Sequence, residues 1–239
     1  MQTDEIVLCP QPKQLTWHDD TYHLPQAVVR VYYFDEAESA FKLLQRRLPQ
    51  AVVRETLREN AHIALNHDPD ISTEALTALT QPVGAYTLLI DTSHIAIGGQ
   101  ALGVYYGVQT LLQIWQQVGP ELPGCDIQDA PDIDARGFML DISRDKVPTM
   151  QTLYELVDLL ASLKYTQLQL YTEHTFAYDG HEDVWRDASP LTPDEIRQLD
   201  AYCRDHYIEL VPNQNSLGHM ERWLKHERYK PLAECEQGY

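Results

Sequence analysis

Long apolar runs are missing from this 239-residue chain, and none approaches the ~18–20 residues that a membrane span needs. Basic charge is scarce: 18 Lys and Arg stand against 36 Asp and Glu, a net charge of −18. Such a surface repels phosphate backbones, so nucleic acid and anionic membrane are not expected partners, while neutral small molecules are left open. Cysteine is sparse as well. Cys9, Cys125, Cys203 and Cys235 show no CxxC and no metal spacing, and they read as reduced thiols of a cytoplasmic protein. No HExxH occurs, and His62, His67 and His94 are isolated. They read as structural or surface histidines, and no metal is expected. The opening MQTDEIVLCP has no basic stretch ahead of an apolar one, which argues against a secretory signal.

What is present is a globular composition, 44% hydrophobic, which excludes a disordered chain. In residues 1–130, segments 27–34, 51–57 and 62–66 read as strands, and Asp68-Pro69-Asp70 as a turn. Ala37, Ala40, Phe41, Leu44 and Leu48 mark a helical face. Segments 86–90 and 94–97 read as a hairpin around Asp91-Thr92-Ser93. The next helix carries Val104, Val108, Leu111, Leu112 and Trp115 on one stripe, with Gly103 and Gly107 spaced to let its backbone approach a sheet. Strand, helix, strands, helix describes an α+β domain. Residues 120–134, rich in Pro, Asp and Gly, read as a linker, with the domain boundary near 130.

Residues 131–239 read as a repeated βα pattern. An apolar run at 137–142, a helical face of Leu153, Leu156, Val157 and Leu160, and a run at 167–171 form one βαβ unit. A loop at 172–191 follows. Thr192-Pro193-Asp194-Glu195 then has the form of a capping box with proline at the first helical position. Ile196, Leu199 and Cys203 continue that helix, 208–212 reads as a third strand, and a further helix starts near 220–225. In parallel α/β folds the chemistry gathers past the carboxyl ends of the strands. Three polar clusters stand there: Asp141 with Arg144, Glu173 with His174, and Asn215 with His219. A guanidinium, a carboxylate and an imidazole converging on one hollow suit hydroxyl recognition and the tuning of a general acid. Tyr171, Tyr178 and Trp185 serve equally well as a sugar platform or as loop packing. His181-Glu182-Asp183 reads as exposed loop, since neighbouring residues rarely converge on one ion.

At these residues the chain resembles the family 20 glycoside hydrolases, the β-N-acetylhexosaminidases. Arg136-Gly137-Phe138-Met139-Leu140-Asp141-Ile142-Ser143-Arg144 is similar to the RG-x-x-LD-x-SR motif that opens their barrel, and 212–219, ending Leu217-Gly218-His219, resembles their PGH segment. The hairpin and helix of 86–111 resemble the end of the family's zincin-like domain. Glu173 within LYTEHTFAY is most like the GcnA-like branch. The resemblance implies an α/β chain: a zincin-like non-catalytic α+β domain (1–130), then the first three βα units of a TIM (β/α)8 barrel (131–239). It implies that Arg144 binds the terminal sugar's hydroxyls. Glu173, in the place of a family Asp, and His219 would form the pair that supports the catalytic acid. Asn213 and Asn215 stand where the family commonly has acidic residues.

In that family the substrate's own 2-acetamido oxygen attacks the anomeric carbon, and an adjacent Asp-Glu pair after strand four assists, an exception to the two-carboxylate scheme. No such pair is assignable here, so no catalytic residue is expected before Tyr239. A full barrel takes about 250 residues and only about 105 follow the linker, so a fragment without hydrolase activity is expected. The implied ligands are glycans ending in N-acetylglucosamine or N-acetylgalactosamine, with no cofactor. The alternative is a non-catalytic carbohydrate-binding or pseudoenzyme module.

Overall fold

A computed structural model of the chain describes residues 3–65 and 83–235. Asn66, His67 and the Asp68-Pro69-Asp70 turn lie outside the described residues. The chain divides into two compact units: Met1–Asp134 together with Ser162–Lys164, and Ala135–Ala161 together with Tyr165–Tyr239.

In the first unit the elements are β1 (Gln14–His23), β2 (Val28–Tyr32), α1 (Glu38–Arg47), β3 (Ala51–Glu55), β4 (Ile63–Leu65), β5 (Tyr86–Ile90), β6 (Ile95–Gly99), α2 (Ala101–Val118) and β7 (Glu121–Asp129). The strands make one mixed sheet in the order β1-β7-β5-β6-β4-β2-β3. Strands β2, β3, β4 and β6 pair in parallel, and β5 pairs antiparallel with both β6 and β7. Alternation sets β5, whose Tyr86, Leu88 and Ile90 are buried while Thr87 and Leu89 are half-buried. Helix α2 lies on the sheet, and its two glycines are what let it approach. A Cβ on Gly103 would stand 1.9 Å from the Ala85 carbonyl oxygen, and one on Gly107 2.4 Å from Ile97 Cγ2.

The stretch expected to be a linker is largely strand. β7 pairs with β1 on one side and β5 on the other, with Leu122, Cys125 and Ile127 fully buried. Its proline and glycine are absorbed by a bulge: between Trp17 and Thr21 the β1 register shifts, and Gly124 faces the extra residues. A Cβ there would meet those of Asp20 and His18 at 3.0 and 3.2 Å. Strand β1 has no counterpart in the expected element list.

The second unit contains β8 (Gly137–Asp141), α3 (Met150–Ser162), β9 (Gln167–Thr172), α4 (Glu182–Trp185), α5 (Pro193–Asp205), β10 (Glu209–Gln214) and α6 (Glu221–Leu224). Its strands form a parallel sheet in the order β10-β9-β8. Leu168 and Leu170 of β9 are buried, whereas Gln167, Gln169 and Tyr171 on the other face are half-buried. Helix α3 buries Leu153, Val157, Leu160 and Ala161. Helix α5 begins at the expected capping box: Thr192 Oγ1 accepts from Glu195 N at 3.2 Å, and Glu195 Oε2 accepts from Thr192 N at 2.8 Å. The two helices are joined through Asp158, which accepts from Tyr202 Oη at 3.0 Å and lies 3.1 Å from buried His206 Nε2. The third strand runs two residues beyond the expected 208–212, to Gln214, and the expected last helix is a single turn. Among the described residues no helix is long and apolar enough to cross a membrane. Cys9, Cys125 and Cys203 are free thiols, the last two buried; burial pushes both of these up to about 12.

Candidate functional site

The three strands of the second unit deliver their polar ends to one place because they are parallel and in register. Asp141 of β8 and Asn213 of β10 both sit opposite Tyr171 of β9. The chain past β8 turns on Asp141, whose Oδ1 accepts from Ser143 N at 2.8 Å. That turn aims Ser143 and Arg144 at Glu173 in two different ways. Ser143 Oγ accepts from the Glu173 backbone N–H at 2.6 Å. The Arg144 guanidinium donates from one Nη to Asp141 Oδ2 and from the other to Glu173 Oε1, the latter at 3.1 Å. The Asp141 carboxylate, then that of Glu173, raise the Arg144 pKa further and hold the guanidinium charged.

Glu173 is the hub. Its side chain is 8% exposed, and five hydrogen bonds meet at this residue, two of them at the carboxylate. Tyr171 Oη donates to Oε1 at 2.9 Å beside the Arg144 bond, and the carbonyl accepts from Gln214 Nε2 at 3.1 Å and from the Trp223 indole N–H. His219 stands at the rim, 63% exposed, with Nδ1 3.9 Å from Glu173 Oε1, within ion-pair reach and beyond a hydrogen bond. Its backbone is in the left-handed region at φ 52°, which for a non-glycine residue costs about 1–3 kcal/mol. Arg144, Glu173 and His219 are therefore brought together.

Other expected residues divide. Asn215 joins the cluster, with Nδ2 donating to Tyr171 Oη at 2.8 Å. Asn213, two residues earlier, instead donates weakly to Gln169 Oε1 at 3.4 Å. His174 points elsewhere: its Nδ1 is buried with no hydrogen-bond partner. Burial first, then the Arg222 charge, depresses its pKa below 6.5. The neutral imidazole is thus favoured by the fold. That stabilisation is complete above the unfolded value of about 6.5 and is lost as pH falls through the depressed folded value. The His174 NMR titration midpoint is expected below 6.5 and to rise in Arg222→Ala; a midpoint at or above 6.5 would contradict this account.

Trp185 Nε1 donates to the Tyr178 carbonyl at 2.8 Å, and Tyr178 meets Phe176 edge-on at 4.6 Å, so both pack the loop. His181 bonds the Tyr229 hydroxyl, and its ring lies 5.4 Å from Trp223. Trp223, Tyr229 and His181 line a cavity of about 800 Å³ that reaches His219. Among the described residues no group of three His, Cys, Asp or Glu is placed to hold a metal ion. The sequence reading missed the roles of Ser143, Gln214 and the Tyr171 hydroxyl. The one available signal was strand register, which places Tyr171 between Asp141 and Asn213.

The family model described as glycosyl hydrolase family 20, domain 2, matches residues 5–130. A β-hexosaminidase of Porphyromonas gingivalis is 25% identical over 90% of this chain and 30% of its own length. One from Akkermansia muciniphila is 26% identical over 77% of this chain and 40% of its own. The fold is similar to the solved β-N-acetylhexosaminidase of Bacteroides fragilis, with a TM-score of 0.80 at 22% identity, over 95% of this chain and 48% of that one. It is also similar to an exo-β-N-acetylglucosaminidase of Vibrio harveyi solved with N-acetylglucosamine, with a TM-score of 0.78 at 21% identity and 38% of that chain covered. The chain thus spans between about a third and a half of the length of these relatives. Matched over more than half of its residues by the family's model, and sharing the mixed α/β fold of the solved members, the chain belongs to glycosyl hydrolase family 20.

Proposed function

We propose that these residues form part of a β-N-acetylhexosaminidase that removes terminal non-reducing N-acetylhexosamines by substrate-assisted, retaining catalysis. In this reading residues 1–130 are a non-catalytic domain of zincin-like type, and 131–239 are the first three βα units of a (β/α)8 barrel. Arg144 binds the terminal sugar's hydroxyls, and Glu173 with His219 supports a catalytic acid that lies outside these residues. The observation that carries the reading is the convergence on Glu173: Arg144 at 3.1 Å and His219 at 3.9 Å, from the ends of different parallel strands. A guanidinium already held by two carboxylates keeps N–H groups directed at a ligand without reorganising. The ligands are glycans ending in N-acetylglucosamine or N-acetylgalactosamine, and neither a cofactor nor a metal has a part. The free thiols of Cys9, Cys125 and Cys203 suit a reducing compartment such as the cytoplasm.

The 239-residue chain alone is expected to bind N-acetylglucosamine without hydrolysing p-nitrophenyl N-acetyl-β-glucosaminide. The three parallel strands carry the supporting pair but no adjacent Asp-Glu pair at their ends. Multiple turnovers by the purified chain would overturn this division of roles.

A further inference from the structure

We infer that Tyr171 and Asn215 are positioning residues that set the orientation of the Glu173 carboxylate, and through it Arg144, by a one-directional hydrogen-bond relay. Asn215 Nδ2 donates to Tyr171 Oη at 2.8 Å, and Tyr171 Oη donates to Glu173 Oε1 at 2.9 Å. Glu173 Oε1 in turn accepts from Arg144 at 3.1 Å, and the Arg144 side chain reaches across the Tyr171 ring, 5.4 Å from its centroid. The direction is fixed by chemistry. An amide N–H can only donate, so the phenol must accept from it and has its single proton free for the carboxylate. Asn215 is itself clamped: its Oδ1 accepts from Gly218 N at 3.2 Å, and its N–H bonds the Thr172 carbonyl at 2.9 Å.

The relay gives a physical reason for an amide at 215. A carboxylate there could not donate. It would compete for the one phenolic proton and set a second negative charge near Glu173. With the amide, a glutamate one methylene longer than aspartate gains a fixed second donor, and its carboxylate is held where Arg144 needs it. The inference rests on the proposed sugar site for its consequence, though not for its geometry.

Three variants test it: Tyr171→Phe, Asn215→Asp, and the two combined, each checked for an unchanged urea midpoint. All three remove the same O–H···O bond, so N-acetylglucosamine affinity is expected to fall about three- to tenfold in Tyr171→Phe and at least as far in Asn215→Asp, which also adds a charge, and the double variant should lose no more than Asn215→Asp alone. Independent losses that multiply, or no loss in either single variant, would overturn the relay. A crystal structure of Asn215→Asp decides the geometry without sugar: the phenol should leave Glu173 for the new carboxylate. An unbroken Tyr171–Glu173 bond refutes the inference. Native chain that binds no N-acetylglucosamine removes the sugar site instead, and the crystal structure still rules on the relay.

Discussion

Replacing Lys164 by methionine is expected to destabilise the chain by about 3–5 kcal/mol, because it leaves a buried carboxylate without its cation. Lys164 is 5% exposed and belongs to the first unit. Its Nζ donates to Asp129 Oδ2 at 3.1 Å and to Tyr86 Oη at 2.9 Å. Thr110 Oγ1 donates its one proton to the Tyr106 carbonyl at 3.2 Å, so it accepts from Tyr86 Oη at 2.7 Å. Burial, then the Asp129 charge, pushes the Tyr86 pKa far upward, so the phenol stays neutral throughout. The ion pair is between Lys164 and Asp129, whose side chains are 7% and 11% exposed. Adding Asp129→Asn to Lys164→Met should recover part of the loss, since the stranded charge goes with it. Urea unfolding of the two variants measures both effects. Equal midpoints for native and Lys164→Met would contradict this reading of the pair.

A comparable loss is expected from Gly103→Ala. Intrinsic propensity favours alanine over glycine inside a helix by about 1 kcal/mol. Here the added methyl would stand 1.9 Å from the Ala85 carbonyl oxygen and 2.9 Å from its carbon. Those are backbone atoms just before β5, so relief means shifting the helix off the sheet. The expected cost is about 3 kcal/mol or more, at or above the upper end for overpacking. Gly107→Ala meets a side-chain methyl, Ile97 Cγ2 at 2.4 Å, and should cost less. A Gly103→Ala chain as stable as native would mean that α2 lies farther from the sheet.

The features legible in the sequence were the local ones. The glycine spacing of α2, the Thr192 capping box and the β5–β6 hairpin each depend on residues within about one or two turns of each other. The features that were not legible depend on distant partners. In β1, Leu15 and Trp17 alternate with exposed neighbours, but the run of exposed residues from His18 to Thr21 breaks the pattern before buried Tyr22, and its partner lies about a hundred residues away. In β7, Pro123 and Gly124 look like linker until the bulge opposite them is known. The candidate site divides the same way. Strand ends pointed to Arg144, Glu173 and His219, whereas the phenol of Tyr171 and the amide of Asn215 acquire a role only through register and rotamer.

Titration of N-acetylglucosamine into the isotopically labelled chain, native and Arg144→Ala, bears most directly on the site. Shifts should gather at residues 143–144, 173, 215 and 219. The arginine variant should bind at least tenfold more weakly, as expected for a charge-assisted hydrogen bond of about 1.5–3 kcal/mol. Shifts centred elsewhere, or affinity indifferent to the loss of Arg144, would contradict the assignment of this cluster to the sugar.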